Sequence, residues 1–216
     1  MYRYVIFDLD GTLLNTIDDL ADAGNWVCRK NGWPTHTVDE FKYFVGNGMP
    51  MLTTRFMPEE ERTPEGIQRA LNEFMPYYDT HKADKTAPYP GIPALLARLK
   101  DAGISISVLT NKADPMAGPV MERYYPGVFS LIQGALPGVP VKPDPTLLLR
   151  LMERMGAKAE ETLFVGDSNV DIRTAKNGGL TSCGVLWGFR TRQELEAEGA
   201  NYVVETPEQL AELILN

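Results

Sequence analysis

Two aspartates two residues apart, Asp8 and Asp10, close a short apolar run and are followed by Gly11 and Thr12. In extended chain, side chains two residues apart point to the same side, so the two carboxylates share a face. A carboxylate at the end of a buried strand is costly unless its charge is paired or meets a metal. Gly11 permits the tight turn that must follow. Polar groups recur where other apolar runs stop: Thr110-Asn111-Lys112 after one, and Gly166-Asp167-Ser168, with Asp171 four residues after Asp167, after another. Lys142 stands in Val141-Lys142-Pro143-Asp144-Pro145, just before a helix start. If the runs are strands of one parallel sheet, Asp8, Asp10, Thr110 and Asp167 converge at one edge, with Lys142 and Asp171 on adjoining segments. An acidic surface turn is the competing reading of Asp8-Asp10, and it is weakened by the polar ends of the other runs.

The elements needed to position these groups are visible in the pattern. Tyr4–Phe7, Ile104–Leu109, Thr162–Val165, Thr181–Trp187 and Tyr202–Val204 are short apolar runs of the kind that form buried parallel strands. Between them, Ile92, Leu95, Leu96 and Leu99 fall at helical spacing ahead of Gly103. A second stripe, Leu147, Leu148, Leu151, Met152 and Met155, ends at Gly156, and a third, Leu210, Leu213 and Ile214, opens with Thr206-Pro207. The expected fold is α/β: a doubly wound, mostly parallel Rossmann-like sheet covered on both faces. Residues 15–84 break the alternation with helical pieces near Asp18–Lys30, Val38–Val45, Met51–Phe56 and Glu65–His81. The expected division is a core of residues 1–14 and 85–216, with 15–84 inserted as a helical cap above the first strand's carboxyl end.

Composition narrows the function class. The 216 residues carry a formal net charge of −8 and include no dense Lys/Arg cluster, which speaks against nucleic acid as a partner. The start, MYRYVIFDLDG, has one basic residue and a short apolar run, so it reads as neither a signal peptide nor a membrane span, which needs ~20 apolar residues. A cytoplasmic protein without a membrane partner is expected. Cys28 and Cys183 are far apart and read as free, buried thiols.

Taken together, DLDGT at Asp8–Thr12, TN at Thr110-Asn111, the lysine of KPDP at Lys142 and GDSNVD at Gly166–Asp171 resemble the four motifs of the haloacid dehalogenase-like superfamily. They stand in the family's order at successive strand ends, and the helical insertion after the first motif is similar to the family's cap. The resemblance implies a Mg²⁺-dependent enzyme acting on a small phosphorylated metabolite. It implies Asp8 as the nucleophile that becomes an aspartyl-phosphate and Asp10 as general acid and then base. Thr110, Asn111 and Lys142 would bind the phosphoryl group. Asp8, Asp167 and the carbonyl of Asp10 would ligate the metal, and Asp171 would orient Lys142 or a metal-bound water from behind.

Within the superfamily the sequence is similar to the phosphoglycolate phosphatase group, through TNK, KPDP, GDSNVD, the Trp187-Gly188-Phe189 segment and ANYVVETPEQL. A β-phosphoglucomutase-type phosphosugar mutase shares all four motifs, and an inorganic pyrophosphatase of the family is a further alternative. Thr12 favours a phosphatase over that mutase, and Asp10 argues against dehalogenase chemistry. A non-catalytic binding descendant would be expected to have lost one of these residues. Asn15 replaces a frequent family aspartate outside the catalytic set. In the insertion, Gly46 and Asn47 of the FVGNGM segment are candidate substrate-selecting positions. His36, His81, Arg55 and Arg62 read as local or solvated surface groups, Trp187 as packing, and Arg190 as a side chain near the entrance edge. Oligomeric state is not legible.

Overall fold

The computed structural model describes residues 2–216. The chain begins with β1 (Tyr4–Phe7) and β2 (Leu14–Asn15), then enters the insertion: α1 (Ile17–Asn31), α2 (Val38–Phe44), α3 (Met49–Phe56) and α4 (Pro64–His81). It returns through β3 (Ala87–Pro88), α5 (Ile92–Asp101), β4 (Ser105–Ala113), α6 (Asp114–Tyr124) and β5 (Leu131–Ala135). The remainder is α7 (Thr146–Met155), β6 (Thr162–Gly166), α8 (Asn169–Asn177), β7 (Thr181–Val185), α9 (Arg192–Ala197), β8 (Tyr202–Val204) and α10 (Pro207–Leu215).

Six strands form one sheet in the order β5-β4-β1-β6-β7-β8, and every neighbouring pair in it is parallel. The chain starts in the middle and adds strands first to one side and then to the other, which is the doubly wound arrangement. Alternation within β1 feeds both layers. Val5 and Phe7 enter a core cluster with Leu95, Leu99 and Leu210, while Ile6 joins Leu148, Leu151 and Phe164 on the opposite face. This two-sided burial is why the strands read as continuous apolar runs rather than alternating ones.

Two expected strands differ in extent. The run ending at Leu109 continues to Ala113, with a register shift between Leu109 and Ala113, so Thr110-Asn111-Lys112 lies on irregular strand rather than after it. The late strand stops at Val185 instead of Trp187, because the chain leaves the sheet to pack over the first turn. β5 has only Leu131 and Ile132 ahead of Gln133 and Gly134, too little apolar content to stand out as a strand.

The antiparallel pair β2–β3 joins the two crossings between sheet and insertion. Asp19 braces it: its buried carboxylate accepts from the backbone N–H groups of Lys85 and Thr86 and from the Thr86 hydroxyl. The insertion has its own core, in which Val27, Phe41, Phe56, Phe74 and Tyr78 pack together. Its helices begin with ordinary signals, such as the capping box of Thr37 and Glu40 and the Thr63 cap before Pro64. Among the described residues no helix is long and apolar enough to cross a membrane.

Candidate active site

The carboxyl ends of β1, β4 and β6 place Asp8, Thr110 and Asp167 at one edge of the sheet. Lys142, on the segment before α7, reaches the same point. Its Nζ lies 2.9 Å from Asp8 Oδ1 and 2.7 Å from Asp171 Oδ1. The other Asp171 oxygen accepts from the backbone N–H and hydroxyl of Ser168, closing the first turn of α8. Both oxygens of Asp171 are therefore committed, and Gly166 leaves the room it needs, since a Cβ there would sit 2.3 Å from Asp171 Cβ. Asp167 is held from two sides. Thr12 Oγ1 donates to its Oδ1 at 3.0 Å, and the Phe189 N–H donates to its Oδ2 at 2.8 Å.

These groups are nearly sealed from solvent, and burial dominates their electrostatics. It pushes Asp8 up to about 8, against the pull of Lys142 and with the repulsion of Asp171, Asp167 and Asp10. Asp167 is pushed up to about 7 by burial and then by Asp171, with the Phe189 and Thr12 hydrogen bonds opposing. Burial works to lower the pKa of Lys142, but Asp171 and Asp8 hold it above its usual value. Oxygens of Asp8, Asp167 and Asp171 lie within 4.8 Å of one another, and Asp8 Oδ1 has the Lys142 ammonium as its partner. A close set of carboxylates with one ammonium among them fits a hard divalent cation, which takes oxygen donors and offsets their crowded charge. Asp171 is engaged on one oxygen by the Lys142 ammonium and on the other by two Ser168 donors. Each Asp167 oxygen accepts from a single neutral donor, and Asp8 is held through Oδ1 alone. Asp8 and Asp167 are therefore the carboxylates with capacity left to ligate.

Above this floor is a cavity of about 40 Å³, room for only a few waters when one needs at least about 10–15 Å³. Asp8, Asp10, Thr110, Lys112 and Asp167 line it from below. Leu20, Val45, Gly46, Gly48, Met49 and Leu52 of the insertion roof it, and Phe189 and Arg190 enter from the side.

Comparison with known proteins shows the family. The family profile of haloacid dehalogenase-like hydrolases matches residues 5–185. The chain belongs to that family. A phosphoglycolate phosphatase from Vibrio cholerae is 31% identical to this hydrolase over 99% of the chain and 97% of its own length. One from Pseudomonas putida is 32% identical over 94% of the chain and 76% of its own length. A crystal structure of a candidate phosphoglycolate phosphatase from Lactobacillus delbrueckii subsp. bulgaricus superposes with a TM-score of 0.94 at 32% identity, covering 100% of this chain and 99% of that one.

Within this haloacid dehalogenase-like hydrolase, Asp8, Asp10, Thr110, Lys142, Asp167 and Asp171 lie together in the arrangement expected from their strand ends. One expectation needs correction, and another is narrowed. Asn111 donates both amide protons, to the carbonyls of Gly46 and Lys142, and its Oδ1 accepts from the Lys142 N–H. Its side-chain amide joins roof to floor, while the residue itself lines the cavity. Asn47 lies in an outer cleft with Arg55, whose guanidinium donates to Asn47 Oδ1 at 2.8 Å; Gly46, not Asn47, faces the cavity.

Arg55 is not a solvated helix charge, since it also donates to the carbonyls of Tyr43 and Phe44. His36 and His81 are locally bonded, to the Phe56 carbonyl and to Asp84. Cys28 and Cys183 are free and buried. Trp187 does more than pack, because its Nε1 donates to the Thr12 carbonyl at 2.9 Å.

Sequence reasoning missed Lys112, a fully buried ammonium that contacts Asp10 and Tyr78. The Thr-Asn-Lys triplet was its only signal. Burial works to lower its pKa, and the Asp10 and Tyr78 partners raise it above the usual value.

Proposed function

We propose that the protein is a Mg²⁺-dependent phosphatase that hydrolyses a small phosphomonoester, phosphoglycolate or a close analogue, through a phosphoryl group carried on Asp8. The observation that carries this reading is the Asp8 carboxylate: its Oδ1 is buried against the Lys142 ammonium at 2.9 Å, and the residue lines a cavity shared with Asp10 and Thr110. A carboxylate held through one oxygen leaves the other available as a nucleophile.

In the first step Asp8 attacks phosphorus while the bond from phosphorus to the leaving oxygen breaks. Asp10 gives its proton to that oxygen. In the second step Asp10, now a carboxylate, takes a proton from water as the water attacks phosphorus. The bond to Asp8 then breaks and inorganic phosphate leaves. Thr110 and Lys142 orient the phosphoryl oxygens, so positioning and charge compensation supply most of the rate. The carboxylates of Asp8 and Asp167 and the carbonyl of Asp10 would hold Mg²⁺, which when bound neutralises charge on those oxygens. Asp171 keeps Lys142 in place. Residues 15–84 act as the cap over a core of 1–14 and 85–216.

The substrate assignment draws on the named relatives and on the low roof, which suits a leaving group of a few atoms better than a hexose. A phosphate-release screen with Mg²⁺, covering phosphoglycolate, sugar phosphates, nucleotides and pyrophosphate, tests it. Preference for phosphoglycolate is expected, and no release from any ester would overturn the reading. An acyl-phosphate trapped on Asp10 rather than on Asp8 would overturn the mechanism.

A further inference from the structure

The segment Trp187–Arg190, between β7 and α9, belongs to the core yet holds the roof. At one end it fixes catalytic groups: Trp187 binds the Thr12 carbonyl and Phe189 N–H binds Asp167. At the other, the Phe189 ring packs into the insertion's own core. Arg190 goes further and donates to the carbonyls of Lys42 and Val45, with its Cζ 4.9 Å from the centre of the Tyr43 ring.

Arg55 takes the two carbonyls between, Tyr43 at 3.3 Å and Phe44 at 2.8 Å. Two guanidiniums, one from the core and one from the insertion, thus occupy four consecutive carbonyls, 42 to 45, at the carboxyl end of α2. The last carbonyls of a helix lack internal partners and form the negative end of its dipole. That explains how two cations share the place, even though burial and then the charge of Arg190 lower the pKa of Arg55.

The next residues, Val45, Gly46, Gly48 and Met49, line the cavity. Gly46 and Gly48 adopt φ of 121° and 83°, so this stretch has little stiffness of its own and depends on its anchors. Arg55 is part of the insertion and cannot tie the loop to the core. Arg190 can, with Asn111 as the second tie through the Gly46 carbonyl.

We propose that Arg190 is a specificity-determining positioning residue, whose grip on the carboxyl end of α2 keeps the Val45–Met49 loop low and limits the leaving group to a few atoms. This rests on the phosphatase reading above. Loss of the grip lets the loop rise, so larger esters gain access while the small ester loses its fitted roof.

The test compares Arg190→Met, Arg190→Lys and Arg55→Met with the parent protein. kcat and KM are measured for phosphoglycolate and for glucose 6-phosphate, alongside amide hydrogen exchange over residues 42–49. In Arg190→Met the ratio of kcat/KM for the hexose ester to that for phosphoglycolate should rise at least about tenfold, the scale of a changed pocket fit. The rise should come mainly through a higher KM for phosphoglycolate, with faster exchange in the loop. Arg190→Lys, which keeps the charge and one donor, should fall between, and decides the matter if Arg190→Met does not fold. Equal losses on both esters with unchanged exchange would overturn the proposal, as would an equal ratio change in Arg55→Met. A parent protein inactive on every ester would instead defeat the phosphatase reading, while faster exchange in Arg190→Met would still support the roof-holding role and unchanged exchange would overturn it.

Discussion

Lys112 and Tyr78 meet across the boundary between sheet and insertion: the lysine Nζ donates to the tyrosine hydroxyl at 2.5 Å and lies 4.7 Å from the centre of its ring. The same ammonium is 3.3 Å from Asp10 Oδ1. A buried charge is tolerated only with partners, and this one joins α4 of the insertion to the carboxylate proposed as acid and base. Because Tyr78 is fully buried, its hydroxyl is raised to about 12, first by burial, with Lys112 opposing and Asp10 reinforcing, and it stays protonated at neutral pH.

Tyr78→Phe should therefore keep the ring packing but leave Lys112 short of an acceptor. An unmet buried donor costs about 1–3 kcal/mol, visible as a lower melting temperature. Lys112→Met should be more severe for turnover, about 10- to 100-fold in kcat, since Asp10 loses the cation beside it. Esters of acidic alcohols, which need little help in departing, should suffer less than alkyl esters. Equal kcat values for the parent and Lys112→Met on an alkyl ester would refute this role.

Gly188→Ala is expected to damage the site without touching a catalytic side chain. A Cβ at that position would lie 2.2 Å from Asp167 Cβ and 2.4 Å from the Gly11 carbonyl oxygen, so backbone or Asp167 must move. Displacing a group that orients a metal ligand costs about 10- to 100-fold in metal affinity or activity. Titration of activity with Mg²⁺ should show a higher half-saturation point, and an unchanged curve would show that the loop yields freely.

How far such residues can be read from the chain depends on what buries them. Asp8, Asp10 and Asp167 are legible because each terminates an apolar run, and a run's end is a local signal. Lys112 follows Thr110-Asn111 and looks like turn polarity, whereas its burial results from α4 descending on β4 from a distant part of the chain. Arg55 likewise resembles a surface charge, and Arg190 a side chain at the entrance edge, until the end of α2 is brought between them. Asn111 shows the opposite case: motif position points to the phosphoryl group, and the structure adds a second task that no local pattern reveals, its side-chain amide bridging the Gly46 and Lys142 carbonyls. β5 escaped notice because Gln133 and Gly134 interrupt it, and its pairing with β4 supplies the order its composition lacks.

Asp8→Asn should separate function from stability. Turnover should fall by at least about a thousandfold, the scale of losing a covalent nucleophile. Without metal near pH 8 the variant should melt above the parent, because an amide replaces one of the crowded carboxylates and Lys142 retains Asp171. Phosphate release and thermal melting check the two halves independently. Substantial remaining activity would remove Asp8 from the mechanism, and a lower melting point would show that its pairing with Lys142 outweighs the crowding.

The raised carboxyls also set a dependence on pH and metal. Asp8 is moved from 3.8 to about 8 and Asp167 from 3.8 to about 7, burial being the first cause for both. Between those values the metal-free folded protein binds protons that the unfolded chain has released. The stability they contribute is complete below about pH 4 and is lost as pH rises towards about 8. A divalent cation at the same oxygens displaces those protons and removes the penalty. Metal-free melting temperature should then fall from pH 5.5 to 8, and millimolar Mg²⁺ should raise it more at pH 8 than at pH 5.5. Calorimetry in buffers of different ionisation enthalpy should register proton release on Mg²⁺ binding near neutral pH. An equal Mg²⁺ shift at both pH values, with no proton released, would mean that Asp8 and Asp167 are already ionised without the ion.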